Sequence, residues 1–72
     1  VWPSSKAKKV FKALNGIGWR EDRERRKGGS HCQLVHPEYR HEYTWAFHDG
    51  DEIGPAMLAR IAKHTGLKPS HL

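Results

Sequence analysis

Between residues 5 and 15, Ala7, Val10, Phe11 and Leu14 recur at three- and four-residue intervals, with Lys6, Lys8, Lys9 and Lys12 between them. That spacing puts the apolar side chains on one face and the lysines on the rest, and it predicts a first helix over residues 5–15. Ser4 or Ser5 is the expected cap, and Asn15-Gly16 with Gly18 the expected stop. Trp19 follows as a core anchor at the start of a strand. Residues 20–27, REDRERRK, hold no apolar side chain and read as an exposed edge strand. Gly28-Gly29 marks a tight turn, because glycine enters positive-φ backbone without steric cost. Cys32 and Leu34 then alternate with Gln33 and Val35 in a strand that ends at His36-Pro37. The run Pro-Glu-Tyr-Arg-His reads as a connection, and residues 42–48 as a third strand. Tyr43, Trp45 and Phe47 share one of its faces, Thr44 and Ala46 the other. After the polar loop His48-Asp49-Gly50-Asp51-Glu52, Gly54-Pro55 opens a second helix. Leu58, Ile61, Ala62 and Thr65 form its inner face, and Gly66-Leu67 its glycine C-cap.

The predicted order is α-β-β-β-α, without internal repeats, in one domain over residues 1–72. Connections this short make neighbouring strands antiparallel, so the expected fold is a two-layer α+β sandwich: a three-stranded antiparallel sheet with both helices on one face. At 72 residues such a chain buries only about 60 % of its unfolded surface. A surface site is therefore expected rather than a deep pocket for a large cofactor.

Charge sharpens the picture. Thirteen Lys and Arg against eight Asp and Glu leave +5, before any of six histidines is protonated. A polyanion, nucleic acid above all, is the partner this balance favours, although a basic surface also serves solubility. Cys32 is the one cysteine, so no intrachain disulfide forms, and a reducing, cytoplasmic setting fits. No stretch approaches the ~18 apolar residues of a membrane span. The opening VWPSSKAKK has no initiator Met and no apolar run of the kind a signal peptide carries.

The candidate chemistry gathers around residues 25–31, RRKGGSH. A histidine leaving a glycine turn behind Arg25, Arg26 and Lys27 is an imidazole suited to take a proton near neutral pH. The three cations favour its neutral form and offer phosphate contacts and transition-state stabilisation. Ser30 and the amides of Gly28 and Gly29 add donors. Taken alone, a histidine at a turn is an ordinary surface residue. His31, Cys32, His36, His41 and His48 match no standard zinc spacing, and neighbours along a strand point to opposite faces. No metal and no cofactor are expected. Cys32 reads as a small buried hydrophobe rather than a nucleophile. Tyr43, Trp45 and Phe47 are read as core rather than as a base-stacking platform, because so thin a domain needs its large side chains inside. The lysines of the first helix fit an RNA-backbone track and a plain solvated face equally well, and are not assigned to a site.

The ordered series of features resembles the HicA family of toxins, small mRNA interferases of toxin–antitoxin pairs. It comprises a helix ending in Gly-Trp, a basic strand, Gly29-Ser30-His31 at a hairpin, and His36-Pro37 closing the next strand. Phe47-His48 before a helix opened by Gly54-Pro55, Leu58-Ala59-Arg60-Ile61 and Gly66-Leu67 complete it. The resemblance runs from about Val10 to Leu67. It implies a double-stranded-RNA-binding-like fold and a metal-independent endoribonuclease that cleaves mRNA and so inhibits translation and growth. It assigns the catalytic histidine to His31, and brings His48 to the site beside Ser30, Gly29, Arg25, Arg26 and Lys27. It also implies a HicB-type antitoxin covering the active face in a hetero-oligomer. Three positions depart from the family's usual pattern: the first strand is more charged, Ala46 stands where proline is common, and the linker before Trp19 has an extra glycine. The alternative is a non-catalytic RNA-binding module on the same scaffold, in which His31 is incidental.

Overall fold

The computed structural model describes residues 2–22 and 32–72. In chain order the elements are β1 (Ser5–Lys6), α1 (Ala7–Gly16), β2 (Arg20–Glu21), β3 (Cys32–His36), β4 (Tyr39–Trp45), β5 (Glu52–Ile53), α2 (Pro55–Thr65) and a short 3-10 turn (Pro69–His71). Strands β2, β3 and β4 form an antiparallel sheet in that order. This is the α+β fold expected from the pattern, and it agrees with a double-stranded-RNA-binding-like description.

The two helical stripes do what their spacing predicts. Val10 and Leu14 of α1 and Leu58 and Ile61 of α2 are fully buried, with Trp19, Leu34, Trp45, Ile53 and Leu67 in the same cluster. Both helices therefore share one core with one face of the sheet. Tyr43 and Phe47 pack against that core, which is the role expected for them over base stacking. Gly66 ends α2 in the left-handed region at φ 77°, its N–H on the Ala62 carbonyl at 2.9 Å, and Leu67 closes the cap from within the core.

Trp19 ties the layers together. Its indole N–H donates to the Thr65 carbonyl at 2.9 Å, satisfying one of the orphan acceptors at the end of α2. The Thr65 hydroxyl in turn donates to Ile61 O at 2.7 Å, so a buried polar residue is fully engaged. The glycine directly before Trp19 has a geometric reason. Gly18 sits at φ 109°, and a Cβ there would lie 2.5 Å from Nε2 of His36. That ring atom donates to Ile17 O at 2.8 Å, while Nδ1 accepts from the Glu38 N–H at 3.0 Å, so the two partners fix the tautomer.

Three boundaries differ from the sequence reading. The first helix starts at Ala7, and neither Ser4 nor Ser5 caps it. Ser5 is buried in a two-residue pairing with Ile53, and the first helical amides donate to loop carbonyls instead, Ala7 to Asp51 at 2.8 Å and Lys8 to Asp49 at 3.2 Å. The third strand spans Tyr39–Trp45 rather than residues 42–48. Only Pro37-Glu38 turns the chain, because His36 pairs with Tyr39 and its ring holds the Glu38 amide. At its far end the strand stops early, since the Asp51 carboxylate takes the His48 N–H at 2.9 Å and the chain leaves the ladder. The third difference is the small β1–β5 sheet itself, too short to leave any alternating pattern. Of the basic first strand, Arg20 and Glu21 pair with Val35 and Leu34.

Candidate functional site

The described part of the candidate site is the turn His48–Asp51, which leaves the end of the sheet where Cys32 pairs with Trp45. The turn is fastened from within: His48 N–H to the Asp51 carboxylate and Asp51 N–H to the His48 carbonyl, both at 2.9 Å. It is fastened from outside by the two α1 amides that Asp49 and Asp51 accept, and by the β1–β5 pairing immediately after it. Lys6 adds a contact to Gly50 O at 3.5 Å and an ion pair with Glu52 at 3.3 Å. That ion pair is solvent-exposed, so it adds little stability. Beneath the turn, Trp45 meets Phe47 and Phe11 edge-on, at centroid distances of 5.0 and 5.4 Å.

The result is an exposed imidazole, His48, on a rigid support. A loop residue whose backbone is bonded to a helix start and to its own turn is held in place without being buried, which suits contact with a bulky, charged substrate. The sequence pointed to His48 through its position before the second helix. It could not show that the first helix anchors the turn, because that depends on carbonyls 41 and 44 residues away.

The other residues expected at the site, Arg25, Arg26, Lys27, Gly29, Ser30 and His31, lie outside the described residues. Cys32 is half-buried at the start of β3. The lysines of α1 that flank the turn, Lys8, Lys9 and Lys12, are exposed. Of the histidines weighed as zinc ligands, His36 spends its ring nitrogens on Ile17 and Glu38, and His41 spends one on the His64 carbonyl at 2.7 Å. Among the described residues no three His, Cys, Asp or Glu side chains group as metal ligands.

A second constellation was not singled out in the sequence. Around Trp19, at the opposite end of β4 from the His48 turn, His36, Tyr39, His41, Tyr43 and His64 form a continuous set of ring contacts, at centroid distances of 4.9 to 6.4 Å. Burial pushes the Tyr43 phenol above its ordinary value near 10, so it stays protonated at neutral pH. The signal that could have found this set is the odd-numbered run Tyr39, His41, Tyr43, Trp45, which alternation places on one face.

With this geometry in hand, comparison with known families is decisive. A family model described as the HicA toxin of bacterial toxin–antitoxin systems matches residues 7–67, from the first residue of α1 to the residue that closes the α2 cap. By class the molecule is the toxin of a toxin–antitoxin pair, which implies an antitoxin partner. The chain belongs to the HicA toxin family. No curated protein matches it. No helix among the described residues is long and apolar enough to cross a membrane.

Proposed function

We propose that this toxin is a metal-independent endoribonuclease that cleaves mRNA in the cytoplasm with His31 as general base, and that a HicB-type antitoxin holds it in check. The observation that carries the reading is the family match over residues 7–67, a span that includes Gly29-Ser30-His31. The pairing of Cys32 with Trp45 supports it. His31 directly precedes Cys32 in the sequence, and the His48 turn departs from the strand end where Cys32 pairs with Trp45.

RNA brings its own nucleophile. In the proposed step the His31 imidazole takes the proton of a 2′-hydroxyl, and the 2′-oxygen forms a bond to the adjacent phosphorus. The bond from phosphorus to the 5′-oxygen breaks, and that oxygen takes a proton from solvent. The products are a 2′,3′-cyclic phosphate and a 5′-hydroxyl. Arg25, Arg26, Lys27 and His48 serve to hold the phosphate and to offset the charge that builds on its oxygens, with Ser30 and the Gly29 amide as further donors. An inhibitor for such a site is expected to be acidic and to cover His31, because opposite charges speed association and burial denies RNA access.

Cleavage is expected to persist in excess EDTA, since every role in this step is filled by a side chain, a backbone amide or solvent. The check is a time course of RNA digestion with and without chelator. Activity that disappears on chelation and returns with zinc or magnesium would contradict the mechanism.

A further inference from the structure

From Gly54 to the end of the chain there is no Asp or Glu, while Arg60, Lys63 and Lys68 each carry a positive charge. All three are exposed, and none has a carboxylate partner among the described residues. Arg60, Lys63 and His64 are spaced three and four apart on α2, so they lie on one face. That face meets the ring cluster. His41 and His64 touch at 6.4 Å, and Tyr43 stacks on His64 at 6.1 Å with planes 23° apart. Gly66, two residues before Lys68, lies against the Tyr39 hydroxyl. Yet the rings are not closed off. His41 and His64 are exposed, and Tyr39 is one of the two large apolar side chains left open to solvent among the described residues, at 37 %.

These rings are also held still. Tyr39 and His41 lean on the buried Trp19 at 5.0 and 6.0 Å, and the His41 ring nitrogen is bonded to the last turn of α2. Exposed rings that are already fixed lose little freedom when something stacks on them. Flanking cations and open, rigid rings are the two features of a surface that binds single-stranded nucleic acid: phosphates on the cations, bases on the rings. Glu38, on the hairpin turn, and Glu42, on β4, are the carboxylates next to the patch in sequence, adjoining Tyr39 and His41.

We propose that Tyr39, His41 and His64, with Arg60, Lys63 and Lys68 around them, form a second contact surface for single-stranded RNA, separate from the site at the His48 turn. Six residue steps of β4 separate Tyr39 from Trp45, roughly 20 Å of strand, so only an RNA of several nucleotides reaches both. The inference rests on RNA being the toxin's substrate, and it adds a reason for long strands to be preferred over short ones.

The test uses the whole chain and 2′-O-methyl RNA, which cannot be cleaved by 2′-hydroxyl attack, in oligonucleotides of about four and about twelve residues, within the size range of small single-strand sites. Binding is followed by fluorescence anisotropy across a salt series. The double variant Arg60→Gln, Lys63→Gln is expected to bind the longer RNA at least about threefold more weakly, with a log–log salt slope shallower by about 1.4. His64→Ala is expected to weaken binding by a similar factor while leaving the slope unchanged, as loss of a stacking contact should. If both variants bind the longer RNA as the parent does, or if they lose the antitoxin and keep RNA, the surface does not contact RNA and the inference is overturned. A parent chain that binds no RNA at any salt would instead remove the ribonuclease reading itself.

Discussion

Replacing His31 with alanine is expected to lower RNA cleavage by about 10²–10⁴-fold, the usual loss when a general base is removed, and to relieve growth inhibition in a cell that expresses it. The same variant is expected to keep the parent's far-ultraviolet circular dichroism and its urea midpoint. The variant keeps every residue of the buried set built from Val10, Leu14, Trp19, Leu34, Leu58 and Ile61. Both halves matter. A variant that is inactive because it is unfolded says nothing about a base, and one that folds and still cleaves at the parent rate shows that the proton goes elsewhere. The substitution also separates the two readings of the family scaffold, because an RNA-binding module without catalysis would have no rate to lose.

The second large effect is on stability. Trp19→Ala removes the largest fully buried side chain, which also carries the hydrogen bond to the Thr65 carbonyl and the ring contacts with His36, Tyr39 and His41. Truncating a buried Trp costs about 3–5 kcal/mol. A chain of 72 residues holds about 4–11 kcal/mol in all, so much of the native population is expected to be lost at 37 °C. Trp19→Phe keeps most of the packing but leaves the carbonyl without its donor, and is expected to cost about 1–3 kcal/mol. Urea unfolding of the two variants beside the parent checks the order. A loss below about 1 kcal/mol for the alanine variant would mean that Trp19 is not the tie between the layers.

The helices were legible because each carries its own evidence. Leu58, Ile61 and Thr65 repeat at helical spacing, Pro55 sits at the first position, and Gly66 stands where a left-handed residue was needed. The strands were legible in number and order but not in extent. An irregularity between Leu34 and His36 breaks the register with β4, so the period of two that marks a strand does not run cleanly through the hairpin. Pro37 then looks like the start of a long connection, when two residues suffice. Ser5 misled for a different reason. Its type suits a helix cap, but the first-turn amides find the Asp49 and Asp51 carbonyls, and no local rule reports a partner more than forty residues along the chain.

The site divides in the same way. His48 was proposed through the family resemblance, by its place before the second helix, and its support was not legible. The ring cluster around Trp19 was invisible because its members come from the linker after α1, both strands of the β3–β4 hairpin and α2, and each histidine taken singly looks like an ordinary surface residue. Its alternation along β4 was hidden behind the belief that residues 37–41 form a loop. His31 and the cations Arg25, Arg26 and Lys27 stand on the sequence motif and the family match, with the Cys32–Trp45 pairing beside them.

The most direct test of the central claim is the chemistry of the cut ends. A defined RNA of mixed sequence, incubated with the purified chain in excess EDTA, should give fragments ending in a 2′,3′-cyclic phosphate on one side and a 5′-hydroxyl on the other, read by mass spectrometry. The same RNA carrying a single 2′-deoxy residue at a cut position should be spared there alone. Fragments with a 3′-hydroxyl and a 5′-phosphate, or cleavage that ignores the missing 2′-hydroxyl, would mean that water rather than the RNA's own oxygen attacks, and a histidine base acting on the 2′-hydroxyl would be ruled out.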